Sequence, residues 1–210
     1  MGLGSIDAVL LDMDGTLVDS DAAVERAWRA WAAEYGVDPG AALAVAHGSP
    51  AITTVRRLLP TLGEHELAVS TARMLGLQYD DLSDTHATPG ADRLVATLDR
   101  LRIPWAVVTS ADRRLAGVRL AAGGIVPPLL ITEEDVPAGK PDPAGYLLAA
   151  TRLGVPPGRC LVVEDAEPGL VAGRAAGAMT AALKGLDGDL CLGDLGELAD
   201  LLDRRPVHSG

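Results

Sequence analysis

Two pairs of carboxylates are set at the ends of apolar runs. Asp12 and Asp14, separated by Met13 and followed by Gly15, close a run at 6–11, and Glu164 and Asp165 close another at 160–163. A carboxylate so placed can attack an electrophilic phosphorus or carry a proton. Several acids sharing one crevice repel unless a cation joins them, and hard oxygen donors on a partly hydrated site point to Mg²⁺. In isolation, an Asp-x-Asp-Gly run also suits an ordinary turn or helix cap.

Thr109 and Ser110 end a third apolar run, ahead of a helix expected to begin near Asp112. A hydroxyl and successive backbone amides at that position make a phosphate cradle, although the same pair also suits a helix cap. Lys140 lies in Gly139-Lys140-Pro141-Asp142-Pro143, where the proline fits a helix start. Of 18 basic residues only Lys140 and Lys184 are lysines, the rest being arginines. A lysine in this loop is therefore assigned to neutralising bound phosphate, against the ordinary reading of a solvated loop charge.

The elements that must position these residues follow from periodicity. Short apolar runs at 6–11, 105–108, 129–131, 160–163, 179–183 and, more weakly, 190–192 read as buried strands. Between them Leu94, Leu98 and Leu101, then Leu115, Val118 and Leu120, then Leu147, Leu148 and Leu153, then Leu170, Val171, Ala175 and Ala176 fall at helical spacing. Alternating strand and helix imply an α/β fold: a Rossmann-like parallel sheet with helices on both faces. Ligands bind beyond the carboxyl ends of such strands, where the acids, Thr109 and Ser110 all fall.

One stretch breaks the alternation. No strand is expected between 19 and 88; Val24, Trp28, Trp31 and Tyr35 share a helical face after Asp21, an expected N-cap, and 52–59 and 64–77 are helical in pattern. Gly36 to Pro39 breaks the first of these helices, and Thr88, Pro89 and Gly90 mark the return. The expected organisation is a core domain, 1–18 and 88–210, with a small helical cap domain inserted at 19–87.

Together, in this order, the four segments resemble the haloacid dehalogenase superfamily, with its Asp-x-Asp-Gly-Thr first motif, Ser or Thr second motif, Lys third motif and acidic fourth motif. The resemblance spans essentially the whole chain. It implies a Mg²⁺-dependent phosphatase in which Asp12 is the nucleophile and Asp14 the general acid and base. Asp12, the backbone carbonyl of Asp14, and Asp165 would hold the metal, with Glu164 a direct or outer ligand. Gly15, Thr109, the Ser110 amide and Lys140 would hold the phosphoryl group.

Local runs narrow the likeness. Val24-Glu25-Arg26-Ala27-Trp28, His47-Gly48, Ala51-Ile52-Thr53 and the run from Ile103 to Ser110 resemble bacterial sugar phosphatases and their glycerol-phosphatase relatives. His47 is a candidate substrate contact from the cap, or else a helix-end residue. A sugar phosphomutase of the same superfamily would need cationic or hydroxyl groups for a second phosphate where this chain has Ala51, Ala111 and Asp112. A sugar or polyol monophosphate is thus the expected substrate. A dehalogenase would need neither the second acid of the first motif nor a metal. A non-enzymatic phospho-receiver domain shares the acids, hydroxyl and lysine, but its phosphorylated Asp follows an interior strand of a shorter, uncapped domain.

Composition adds exclusions. A net charge of -11 disfavours nucleic acid, whose phosphates require a basic surface. No secretory leader or membrane-length apolar run is apparent, and Cys160 and Cys191, each in an apolar stretch, read as two buried reduced thiols. The expectation is a cytoplasmic monomer acting on a small phosphorylated molecule.

Overall fold

Leucine- and valine-rich runs too short for helices pair as strands in the computed structural model, which describes residues 3–46, 50–80 and 82–205. The strands are β1 (Ala8–Leu11), β2 (Val18–Asp19), β3 (His86–Ala87), β4 (Trp105–Val108), β5 (Leu130–Ile131), β6 (Cys160–Glu164), β7 (Met179–Ala182) and β8 (Leu190–Cys191). The helices are α1 (Asp21–Tyr35), α2 (Pro39–Ala46), α3 (Ala51–Leu58), α4 (Glu64–Asp80), α5 (Ala91–Leu101), α6 (Arg113–Ala122), α7 (Ala144–Leu153), α8 (Glu167–Ala175) and α9 (Leu195–Asp203).

Six strands form one sheet in the order β5-β4-β1-β6-β7-β8, and each neighbouring pair is parallel. Their side chains alternate between two apolar clusters. Val9, Leu11, Val107, Leu161 and Val163 pack with Leu94, Leu98, Leu115, Leu195 and Leu198 of α5, α6 and α9. Ala8, Leu10, Ala106, Val108, Cys160 and Val162 pack with Tyr146, Ala149, Ala150 and Ala172 of α7 and α8. Burial on both faces is why these strands read as continuous apolar runs. The chain leaves β1 towards β4 and β5, then returns to β6 on the other side. This places a topological switch point, and its crevice, at the carboxyl end of β1.

Helices α1 to α4 have a third apolar cluster of their own, including Val24, Trp28, Trp31, Ala42, Val55, Leu67 and Met74. Trp31 is its centre. Its ring lies edge-on to Trp28 at 5.3 Å and stacks on Tyr35 at 5.0 Å, while its indole N–H donates to Ser70 Oγ at 3.1 Å.

Several expectations are corrected. A two-residue antiparallel pair, β2 with β3, joins the ends of the helical segment, where no strand was expected. Pairs this short carry no readable period. Helix α2 was also missed, because its Ala- and Gly-rich stretch has no polar face and Pro39 opens the helix instead of only ending the previous one. Asp21 is the first residue of α1, and Ser20 stands at the cap position. Cys160 is buried but Cys191 is exposed. No described helix is long and apolar enough to cross a membrane.

Candidate active site

Asp12 is the first residue beyond β1, tied to the next strand by its N–H donating to the Val163 carbonyl at 3.0 Å. The chain then turns tightly: the N–H groups of Leu17 and Val18 both reach the Met13 carbonyl at 2.9 Å. Gly15 makes the turn possible with φ of +81°, and a Cβ there would collide with the Asp165 carboxylate. The first motif is therefore folded directly against the fourth. Gly169 has a parallel role, since a Cβ on it would occupy the Glu164 carboxylate.

Oxygens of Asp12, Glu164 and Asp165 lie within 4.8 Å of one another. The Asp14 carboxylate lies outside this cluster. Ser20 Oγ donates to its Oδ1 at 2.7 Å, and Arg119 pairs with its Oδ2 at 2.8 Å. Ser20 thus spends its hydroxyl on Asp14 and makes no cap bond to α1.

Lys140, in the loop before α7, reaches into the cluster from behind. Its ammonium contacts Asp12, lies 2.6 Å from Glu164 Oε1, and donates to the Val108 carbonyl at 3.0 Å. Tyr146 of α7 donates to Glu164 Oε1 at 2.6 Å. Burial pushes the Asp12 carboxyl well above the usual range, Glu164 adds to that, and Lys140 opposes it. Burial also works against the Lys140 ammonium, but Asp12 and Glu164 outweigh it and raise its pKa.

On the facing side, Lys184 sits 3.0 Å from Asp165 Oδ2 and 2.8 Å from Asp21 Oδ2. Burial raises the Asp165 pKa and Lys184 opposes the rise. A crevice beside the cluster is lined by Asp12, Asp14, Asp165, Thr109, Ser110, Arg119 and Glu133. Val24, Trp28, Ala46, Ala51, Leu75 and Gln78 of the helical segment line it too. The crevice is partly open to solvent.

The structure brings together Asp12, Asp14, Thr109, Ser110 and Asp165 around the crevice, with Glu164 and Lys140 behind Asp12. Thr109 Oγ1 accepts from the Ala111 N–H at 3.1 Å, so it does also shape its own turn. His47 lies outside the described residues. Asp112 is not a crevice group: it caps α6 by accepting from the Leu115 N–H and takes a 2.6 Å bond from the Tyr79 hydroxyl. Glu133 also lines the crevice, and burial, with Asp112 and Glu134, pushes its pKa up to about 7.

Sequence reasoning missed Ser20, Arg119, Tyr146, Lys184 and Gln78. Two signals were available: Lys184 is one of two lysines, and Arg119 falls four residues after buried Leu115 on one helical face.

A parallel α/β sheet whose first strand delivers an Asp-x-Asp beside a lysine and an acidic pair defines a class of hydrolase. The chain belongs to the haloacid dehalogenase-like hydrolases, whose family model matches residues 6–177. It is 43% identical over 169 residues to hexitol phosphatase A of Escherichia coli (strain K12), covering 80% of this chain and 78% of that one. It is 34% identical over 194 residues to 2-deoxyglucose-6-phosphate phosphatase 1 of Saccharomyces cerevisiae, covering 84% and 79%. Among solved structures, a hydrolase from Pseudomonas syringae superposes with a TM-score of 0.85 at 25% identity, over 94% of this chain and 98% of that one.

Proposed function

We propose that this hydrolase is a Mg²⁺-dependent phosphatase for a sugar or polyol monophosphate, working through a phosphorylated Asp12. The observation that carries the reading is the division among the carboxylates. Asp12, Glu164 and Asp165 are gathered, while Asp14 is held apart by Ser20 and Arg119. Two carboxylates of one motif in different surroundings suit two roles, nucleophile and proton carrier.

The donor set fits Mg²⁺. Three gathered carboxylates carry more negative charge than Lys140 and Lys184 offset, and all the donors are hard oxygens. Asp12, Asp165 and the Asp14 carbonyl would hold the ion, with Glu164 behind them engaged by Lys140 and Tyr146. Bound there, Mg²⁺ neutralises charge on the transferring phosphoryl group.

In the first step an Asp12 oxygen forms a bond to phosphorus as the bond to the alcohol oxygen breaks, and Asp14 gives that oxygen a proton. Water, deprotonated by Asp14, then attacks the acyl phosphate and frees phosphate and Asp12. Ser110 and Thr109, which line the crevice just beyond β4, would hold phosphoryl oxygens, and Lys140 would neutralise them. We place residues 19–87 as a cap inserted into a core of 1–18 and 88–210, because its side chains form one wall of the crevice. We also propose a cytoplasmic monomer, in keeping with two free cysteines.

Ala51 and Ala111 on the crevice wall favour a monophosphate over a bisphosphate. The test is a panel of hexitol, deoxyhexose and glycerol phosphates with Mg²⁺, followed by phosphorus NMR. Inorganic phosphate should appear in step with substrate loss, and excess chelator should stop it. Phosphate moving between sugar carbons faster than its release would establish the mutase instead.

A further inference from the structure

Arg119 stands where α6 would ordinarily bury an apolar side chain. It follows Leu115 by one helical repeat, is flanked by Ala116 and Leu120, and its side chain is 2% exposed. Burying a guanidinium is unfavourable unless its N–H groups are met, and a buried ion pair replaced whole by apolar residues often loses no stability. Here they are not all met, because Nε has no partner. Stability alone does not explain the residue, so its remaining contacts carry the explanation.

Those contacts form a chain across the molecule. One terminal nitrogen pairs with Asp14 Oδ2 at 2.8 Å, and the other donates to Gln78 Oε1 at 2.8 Å. Gln78 lies in the last turn of α4, within the helical segment. The next residue, Tyr79, donates to Asp112 at the cap of α6, and its ring lies 4.2 Å from the Arg114 guanidinium. The end of α4 is therefore joined to α6 by directional polar contacts, and α6 to Asp14 by Arg119. On the opposite oxygen Asp14 is held by Ser20. A carboxylate gripped at both oxygens has one orientation; with one grip removed it rotates.

We propose that Arg119 is a positioning residue for Asp14, and that seating of the α4 end on α6, through Gln78, sets the aim of that carboxylate. The proposal rests on the reading of Asp14 as the proton carrier. Small misplacement of a proton donor reduces rates by about 100-fold.

The test compares two monophosphates with Mg²⁺: a hexitol phosphate, whose alkoxide needs a proton to depart, and p-nitrophenyl phosphate, whose phenolate does not. The measured quantity is kcat/KM, which reports the steps up to departure of the alcohol. Arg119→Met should lose roughly 100-fold on the hexitol phosphate but under about 5-fold on the aryl phosphate. Gln78→Ala should show the same asymmetry at about 10-fold. Arg119→Lys should recover part of the loss, since an ammonium reaches Asp14 but cannot also span to Gln78.

Equal losses on both substrates in Arg119→Met and Gln78→Ala would overturn the proposal. If Arg119→Met does not fold, the asymmetry in Gln78→Ala and Arg119→Lys decides in the same way. Wild-type protein that releases phosphate from neither substrate would overturn the phosphatase reading, and this one with it.

Discussion

Two lysines stand on opposite sides of one carboxylate cluster and are built into the fold differently. Lys140 and its partners Asp12 and Glu164 have side chains 6%, 10% and 1% exposed, and Tyr146 closes the group from α7. Lys184 is 44% exposed, its partner Asp21 is 50% exposed, and Asp165 is the least exposed of the three at 9%. The same ammonium-carboxylate chemistry is thus a fixed part of the interior on one side and a replaceable surface contact on the other. A buried pair broken on one side leaves an uncompensated charge, whereas an exposed pair is screened by water. The proposed cation would therefore exchange on the Lys184 side, and Asp12 is held in place from the Lys140 side.

That contrast can be broken by substitution. The largest expected effect is at Asp12, where Asn should reduce turnover at least about 1000-fold with the fold intact by circular dichroism, because an amide cannot replace the attacking carboxylate. Lys140→Met should come next. It strands Asp12 and Glu164 in the interior and should lower unfolding free energy by about 3 to 5 kcal/mol in urea titrations, together with a loss of activity. Lys184→Ala should change stability by less than about 1 kcal/mol and activity by less than about 10-fold. Equal damage from the two lysine variants would erase the distinction.

Glu133 sharpens the comparison as a crevice carboxylate with no ion pair among the described residues. Burial, then Asp112 and Glu134, raises its pKa from an ordinary 4.5 to about 7. The folded protein therefore holds this proton more tightly than the unfolded chain. Stability contributed by the protonated form is complete below about pH 4.5 and is lost as pH rises to about 7. Glu133→Gln should leave stability unchanged at pH 4 and raise it by about 1 kcal/mol at pH 8, after allowance for solvent screening at a partly exposed group. No gain at pH 8 would show that the carboxylate has a counter-charge.

The strand ends were legible because each buried strand is a short apolar run and the candidate acids end two of them. Asp12, Thr109 and Asp165 could be placed at one sheet edge on that basis alone. Lys140 was legible through its rarity. What was not legible depends on contacts between parts of the chain remote in sequence. Arg119 looks like a helix-surface charge until α4 covers it, and Ser20 looks like a cap until Asp14 claims its hydroxyl. Asp112, read as a charge repelling a second phosphate, spends its carboxylate on the α6 cap and Tyr79. Side-chain direction decided that case, and spacing does not encode it.

The covalent role proposed for Asp12 is open to direct measurement in the Asp14→Asn variant, which lacks the base proposed to hydrolyse the acyl phosphate. Given p-nitrophenyl phosphate, whose leaving group departs without a proton, and Mg²⁺, the quenched protein should carry one added phosphoryl group. Peptide mass mapping should place that group on Asp12, and Asp12→Asn in the same background should abolish it. A phosphoryl group on another residue, or none while nitrophenol is released in a stoichiometric burst, would contradict nucleophilic attack by Asp12.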